Sequence, residues 1–222
     1  MENKEKIINL ILRNRFLAKT IYFLSGKPPS MPQTVGFQYY TQRGLWKLQL
    51  DICPCDGELV EYLQKKQIYS QSVFHFGTGY HHLLGIENQK FDKPNEIFAI
   101  TACVKEHDAY IKLCKHDRNL AKYYKVFYGN IYTLTEKSLP KFDLISLFHV
   151  GEFYLPEEAN FIHQNDRSLV NLFLNRLNDD GKILFYTKSL GWEQTKLIIE
   201  DLESQKKIHL FEQYKTLLIY GK

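Results

Sequence analysis

Five short apolar runs, set among helix-length stretches, constrain this chain more than any other feature. They are Val73-Phe74-His75-Phe76, Ile97-Phe98-Ala99-Ile100, Lys125-Val126-Phe127-Tyr128, Asp143-Leu144-Ile145-Ser146-Leu147-Phe148 and Lys182-Ile183-Leu184-Phe185-Tyr186-Thr187. Each has strand length, and they read as near-continuous apolar segments rather than alternating ones, the pattern of strands buried on both faces. The stretches Val104 to Lys115, Glu157 to Leu177 and Trp192 to Glu203 are predicted as helices. Strands alternating with helices imply parallel neighbours, because a parallel pair needs a crossover. The last two runs, Ile208 to Glu212 and Thr216 to Tyr220, are separated by only a few residues. That gap allows a hairpin but no crossover helix. The expected architecture is an α/β fold with a mostly parallel seven-stranded sheet, helices on both faces and an antiparallel terminal strand.

The first 70 residues have a different rhythm. Ile7, Ile8, Ile11, Leu12, Phe16 and Leu17 recur at helical spacing within Lys4 to Leu24, and Ser25-Gly26-Lys27-Pro28-Pro29-Ser30 ends that helix. The aromatic stretch Phe37 to Trp46 has no clear period and is predicted as short helical pieces. Tyr39, Tyr40 and Trp46 either roof a pocket or pack a core. A helix follows over Asp56 to Lys66, with Asp56 as its N-cap. No linker, repeat or low-complexity tract divides the chain. It is read as one domain, 1–222, with a helical cap or lid over 1–70 and an α/β core over 71–222.

From Ser72 onward the chain resembles the class I S-adenosylmethionine-dependent methyltransferases, and the resemblance rests on landmarks in order. Gly77-Thr78-Gly79 follows the first strand, as the family's first glycine motif does. Gly129-Asn130 follows the third strand, where the family carries Gly-Asp. Phe142-Asp143-Leu144-Ile145 is similar to its fourth-strand motif, and Leu177-Asn178-Asp179-Asp180-Gly181-Lys182-Ile183-Leu184 to the turn before its fifth strand. The resemblance implies a Rossmann-like methyltransferase fold and S-adenosylmethionine as cofactor. It assigns cofactor contact to His75, Gly77, Thr78, Gly79, His81, Thr101, Asn130 and Phe148. Four of these depart from the family pattern: His75 stands for the acid before the glycines, His81 for the third glycine, Thr101 for the acid after the second strand, and Asn130 for the aspartate. A threonine hydroxyl bonds one ribose hydroxyl where a carboxylate accepts two.

Carboxyl ends of parallel strands gather at one edge, where ligands bind. His81, His82 and His149 fall there, either as a general base or metal ligand or as polar loop residues. The segment Phe148-His149-Val150-Gly151-Glu152-Phe153-Tyr154 follows the fourth strand, and His149, Glu152 and Tyr154 are the catalytic candidates. Glu152 could equally cap the next helix. No metal site is expected: His81 and His82 are adjacent, and Cys53-Pro54-Cys55 has no second pair at zinc-finger spacing, so it reads as two ordinary thiols. A net charge of +4 with dispersed basic residues gives no nucleic-acid signature, and no apolar run approaches a membrane span. The N-terminus lacks a cleavage-site pattern, so a reducing, cytoplasmic setting is expected. The resulting expectation is methyl transfer to a small-molecule acceptor, with a homodimer as a further expectation. The alternative is a methyltransferase-like binding or scaffolding protein without activity.

Overall fold

The computed structural model describes residues 47–222. The expected N-terminal helix over Lys4 to Leu24 and the aromatics Tyr39, Tyr40 and Trp46 lie outside the described residues. The elements in chain order are α1 (Cys55–Lys65), β1 (Ser72–Phe76), α2 (Leu83–Asn88), β2 (Glu96–Thr101), α3 (Val104–His116), α4 (Leu120–Tyr123), β3 (Tyr124–Tyr128), β4 (Phe142–Ser146), α5 (Asp166–Asn175), β5 (Leu177–Tyr186), α6 (Trp192–Ser204), β6 (His209–Tyr214) and β7 (Leu217–Gly221).

The seven strands form one sheet in the order β3-β2-β1-β4-β5-β7-β6. The first five pair in parallel. β7 runs antiparallel to both neighbours, β5 and β6. The short β6–β7 connection dictates this, since it permits a hairpin and nothing longer. Successive side chains leave a strand on opposite faces, so each strand feeds two cores. Phe74, Ile183 and Phe185 join Leu169 and Phe173 of α5 and Ile199 and Leu202 of α6 on one face. Val73, Leu184 and Ile219 join Leu59 and Leu63 of α1 on the other. His75 shares the α1 face with Val73, two residues away, and this registers it against the start of α1.

Strand order reverses between β1 and β4. β1 is followed in space by β2 and β3 on one side and by β4 and β5 on the other. Connections from the two sides therefore diverge and leave a crevice at the carboxyl ends of β1 and β4, the usual ligand position in open α/β sheets.

Local structure departs from the sequence reading at three places. Helix α1 begins at Cys55 with Pro54 at its N-cap position, so Asp56 is not the cap but lies inside the first turn. Its carboxylate turns into the protein instead. The stretch predicted as one helix from Glu157 to Leu177 splits into a short 3-10 helix over Pro156–Phe161 and α5. Asn165 starts α5 anew: its side chain accepts from the Ser168 amide at 2.8 Å, and Ser168 accepts from the Asn165 amide at 2.9 Å. Asn178 to Gly181, expected as a turn, lies within β5. There the pairing with β4 jumps from Phe142↔Leu177 to Leu144↔Lys182, so the extra residues bulge from the ladder.

Candidate functional site

A cavity of about 310 Å³ occupies the crevice between β1 and β4. Its floor is the loop after β1, and its walls come from the start of α1, the turn after β4 and the segment after β5. Gly77 and Gly79 line it with φ of +92° and +54°, a backbone region that favours glycine. A Cβ on Gly77 would sit 2.7 Å from His149 Cδ2, and one on Gly79 would collide with the His81 ring. The glycines thus make room for two imidazoles at the edge of the cavity. The sequence predicts a glycine loop open to a ligand; the structure adds that its own histidines cover it in part.

His149 stands on the cavity wall with Nδ1 3.1 Å from Glu152 Oε1. Glu152, 4% exposed, also accepts from Ser189 Oγ at 2.6 Å. Burial pushes the His149 imidazole toward the neutral form, but the Glu152 charge and hydrogen bond outweigh it and lift the pKa to about 9. Glu152 is held below the usual carboxylate range: burial opposes this, and the His149 charge and the bonds from His149 and Ser189 prevail. The two groups form an ion pair at neutral pH. Glu152 does not cap a helix; it orients His149.

Asp56 is the second focus. Its oxygens lie 3.5 Å from His75 Nε2 and 3.6 Å from His81 Nε2. Burial raises its carboxyl to about 7, against the opposing charge of His149. His75 is 1% exposed, with Nδ1 bonded to Ser146 Oγ at 2.7 Å across the β1–β4 pair. Burial lowers its pKa to about 3, so it is neutral. Burial also lowers His81. At 3.5 Å the His75–Asp56 approach is too long for a good hydrogen bond, and His75 Nε2 has no hydrogen-bond partner among the described residues. Tyr186 Oη, on the cavity wall, is likewise buried and unpartnered. The Cys53 sulfur lies near this hydroxyl without a well-formed hydrogen bond, and burial followed by the Cys53 charge raises the tyrosine pKa.

The structure gathers Gly77, Gly79, His81, His149 and Glu152 around one cavity, with His75 buried beneath it. It places the other predicted residues elsewhere. Thr78 is 1% exposed and its hydroxyl finds no hydrogen-bond partner among the described residues. Thr101 donates to Glu106 Oε2 at 2.7 Å within the core. Asn130 caps a 3-10 turn by accepting from the Tyr132 amide at 2.9 Å. Phe148 is a core residue packed edge-on to His75. Tyr154 packs against Tyr132 and lines a shallow groove with Asn165, Asp166 and Ile198. His82 turns inward, with Nε2 2.8 Å from the Glu106 carbonyl and Nδ1 3.1 Å from Tyr124 Oη. Residues the sequence did not single out for the site complete the wall: Asp56, Tyr186, Lys188 and Ser189, together with Cys53.

The donor set suits the amino-acid end of S-adenosylmethionine. Glu152 offers a carboxylate for an ammonium, and Lys47 and Lys188 offer positive charge for a carboxylate. At the end of β2 the fit stops: Thr101 spends its hydroxyl on Glu106, and among the described residues no carboxylate from β2 lines this cavity. Among the described residues no group of three or more His, Cys, Asp or Glu is arranged to hold a metal ion. No helix there is long and apolar enough to cross a membrane.

No family model matches the sequence, and no curated protein matches it. Solved structures do. A Klebsiella pneumoniae protein provisionally assigned as an O-methyltransferase aligns over 90% of this chain and 94% of its own, with TM-score 0.53 and 10% identity. A ribosomal protein L11 methylase from Lactobacillus delbrueckii subsp. bulgaricus aligns over 81% of this chain and 82% of its own, with TM-score 0.50 and 18% identity. A coclaurine N-methyltransferase aligns over 62% of this chain at 20% identity and TM-score 0.44, and the chain spans only 36% of its length. Identities this low speak to architecture alone. The parallel strands, the reversal between β1 and β4 and the β7 insertion agree with it: this chain has the class I methyltransferase fold.

Proposed function

We propose that this chain binds S-adenosylmethionine in the cavity between β1 and β4 and transfers its methyl group to a small-molecule acceptor. One observation carries the reading: in a methyltransferase fold, the cavity sits at the strand-order reversal and is floored by Gly77 and Gly79. The cofactor would supply an electrophilic methyl group on a sulfonium. Such transfer asks the protein mainly to align reactants and exclude water.

The residues divide that work. Gly77 and Gly79 allow close approach of backbone to ligand. Glu152 and Ser189 fix the His149 ring. His149, with its pKa near 9, is protonated at neutral pH and therefore holds an anionic group rather than taking a proton. The general-base role expected for His149 passes to Asp56, whose pKa of about 7 lies near the working range for proton transfer. An acceptor with a negative charge near its nucleophile suits this pair.

The test is a calorimetric titration of the full chain with S-adenosylmethionine and S-adenosylhomocysteine. The proposal expects saturable binding, and Gly79→Arg should abolish it while the fold persists by circular dichroism. No heat at millimolar ligand would overturn it and leave the non-catalytic binding protein as the reading.

A further inference from the structure

Cys53 and Cys55 flank Pro54 at the entry to α1, and their sulfurs lie 3.5 Å apart. That is contact distance, about 1.5 Å longer than a disulfide bond of roughly 2.05 Å. The two thiols differ in access. Both line the cavity, but Cys53 is partly exposed and Cys55 only 2% exposed. At that distance one thiol can share its proton with the other sulfur, and either can be the donor. Cys55 has its own thiol pushed well up, and Cys53 is drawn down to about 6, first by the Cys55 hydrogen bond and against burial. His149, cationic and on the same wall, adds to the stabilisation of a Cys53 thiolate, and the Glu152 charge beside it offsets part of that. An accessible, charge-stabilised sulfur backed by a buried thiol in contact is the arrangement of an attacking and a resolving cysteine.

We propose that Cys53 and Cys55 form a thiol–disulfide redox pair opening on the cavity, with Cys53 as the attacking sulfur and a low-molecular-weight disulfide as the oxidant. The Cys53 thiolate attacks one sulfur of that disulfide, forms a mixed disulfide and expels one thiolate. Cys55 then loses its proton to the expelled thiolate and attacks the Cys53 sulfur. The Cys53–Cys55 bond forms, and the second low-molecular-weight thiolate leaves and takes up a proton from solvent. Two protein thiols lose two electrons, and one disulfide becomes two thiols. The ring closes across a single residue, Pro54, so it is small and stiff and readily reduced again. Closure also removes the Cys53 charge from beside His149, which couples the redox state to the electrostatics of the cavity. The pair needs no cofactor, so it stands or falls independently of methyl transfer.

The experiment uses the full chain equilibrated with mixtures of reduced and oxidised glutathione, acid-quenched, alkylated and mapped by peptide mass. The expected result is loss of two hydrogens confined to the peptide spanning Cys53 and Cys55, reversed by reduced glutathione, with Cys103 and Cys114 still alkylated. Cys55→Ser should trap glutathione on Cys53, and Cys53→Ser should leave Cys55 modified at least about tenfold more slowly. Absence of the disulfide in the unsubstituted chain at every ratio would overturn the proposal. So would glutathione capture by Cys55 in Cys53→Ser as fast as by Cys53 in Cys55→Ser.

Discussion

Glu152→Gln removes a buried charge while keeping the shape of the side chain, so it isolates what holds His149 in its protonated form. Glu152 Oε1 lies 3.1 Å from His149 Nδ1, and its charge and hydrogen bond are the leading influences that raise the imidazole against burial. The rise from 6.5 to about 9 corresponds to about 3 kcal/mol favouring the protonated form, at roughly 1.4 kcal/mol per pH unit. In the variant, burial meets only the weaker influence of Cys53 and Asp56, and the His149 midpoint should fall to 6.5 or below. Imidazole NMR of labelled protein reads this directly. The stability consequence has a definite sign. A histidine whose pKa is raised on folding contributes fully below its unfolded value of 6.5, and that contribution fades as pH climbs through about 9. Glu152, lowered on folding, contributes above its unfolded value of 4.5 and loses that contribution on acidification. The pair therefore supports the fold most strongly between about pH 4.5 and 6.5. Urea unfolding of Glu152→Gln should show a loss of about 3 kcal/mol at pH 6, the low end for breaking a buried pair, and a smaller loss at pH 10. A His149 midpoint still near 9, or a loss unchanged between pH 6 and 10, would refute the reasoning.

Asp143→Asn should destabilise the sheet by about 1–3 kcal/mol at pH 7, because Asp143 accepts from the Ser72 amide at 2.8 Å, Ser72 Oγ at 2.7 Å and Asn178 Nδ2 at 2.6 Å. These bonds overcome burial and hold its pKa low, so its contribution is present above the ordinary carboxylate range and fades below it; the gap in urea midpoints should narrow on acidification. Gly77→Ala places a Cβ 2.7 Å from His149 Cδ2 at φ +92° and should cost about 1–3 kcal/mol in thermal or urea unfolding, with a shifted His149 NMR signal. His149→Ala should slow methyl transfer more than it weakens cofactor binding, as kinetics and calorimetry together would show; equal losses would make it a binding residue only.

The sheet was legible because its strands are buried on both faces, so their apolar runs stand out without any knowledge of their neighbours. The β6–β7 hairpin was legible from loop length alone. The helix starts were less so. Asp56 satisfies the local preference for an N-cap, yet Pro54 takes that position and Asp56 lies inward beside His75 and His81, a neighbourhood that exists only once β1 packs against α1. The break before α5 does carry a local signal in Asn165 and Ser168, masked by the apolar residues around it. In the site, the glycines and His149 follow from strand-end position. The roles of Glu152 and Ser189 depend on a bond between residues 37 positions apart, and no spacing rule reports it. Thr101 and Asn130 occupy the right places in the chain, but Glu106 and the turn over Ile131–Thr133 engage their polar groups.

The proposed cofactor site is the cavity at the β1–β4 reversal. Amide NMR of the isotopically labelled full chain, titrated with S-adenosylhomocysteine, tests it most directly. Saturable shifts should centre on Gly77, Gly79, His149 and Glu152, with smaller ones at Asp56 and Ser189. Shifts centred instead on the groove at Tyr154, Asn165 and Ile198, or none at saturating ligand, would contradict it.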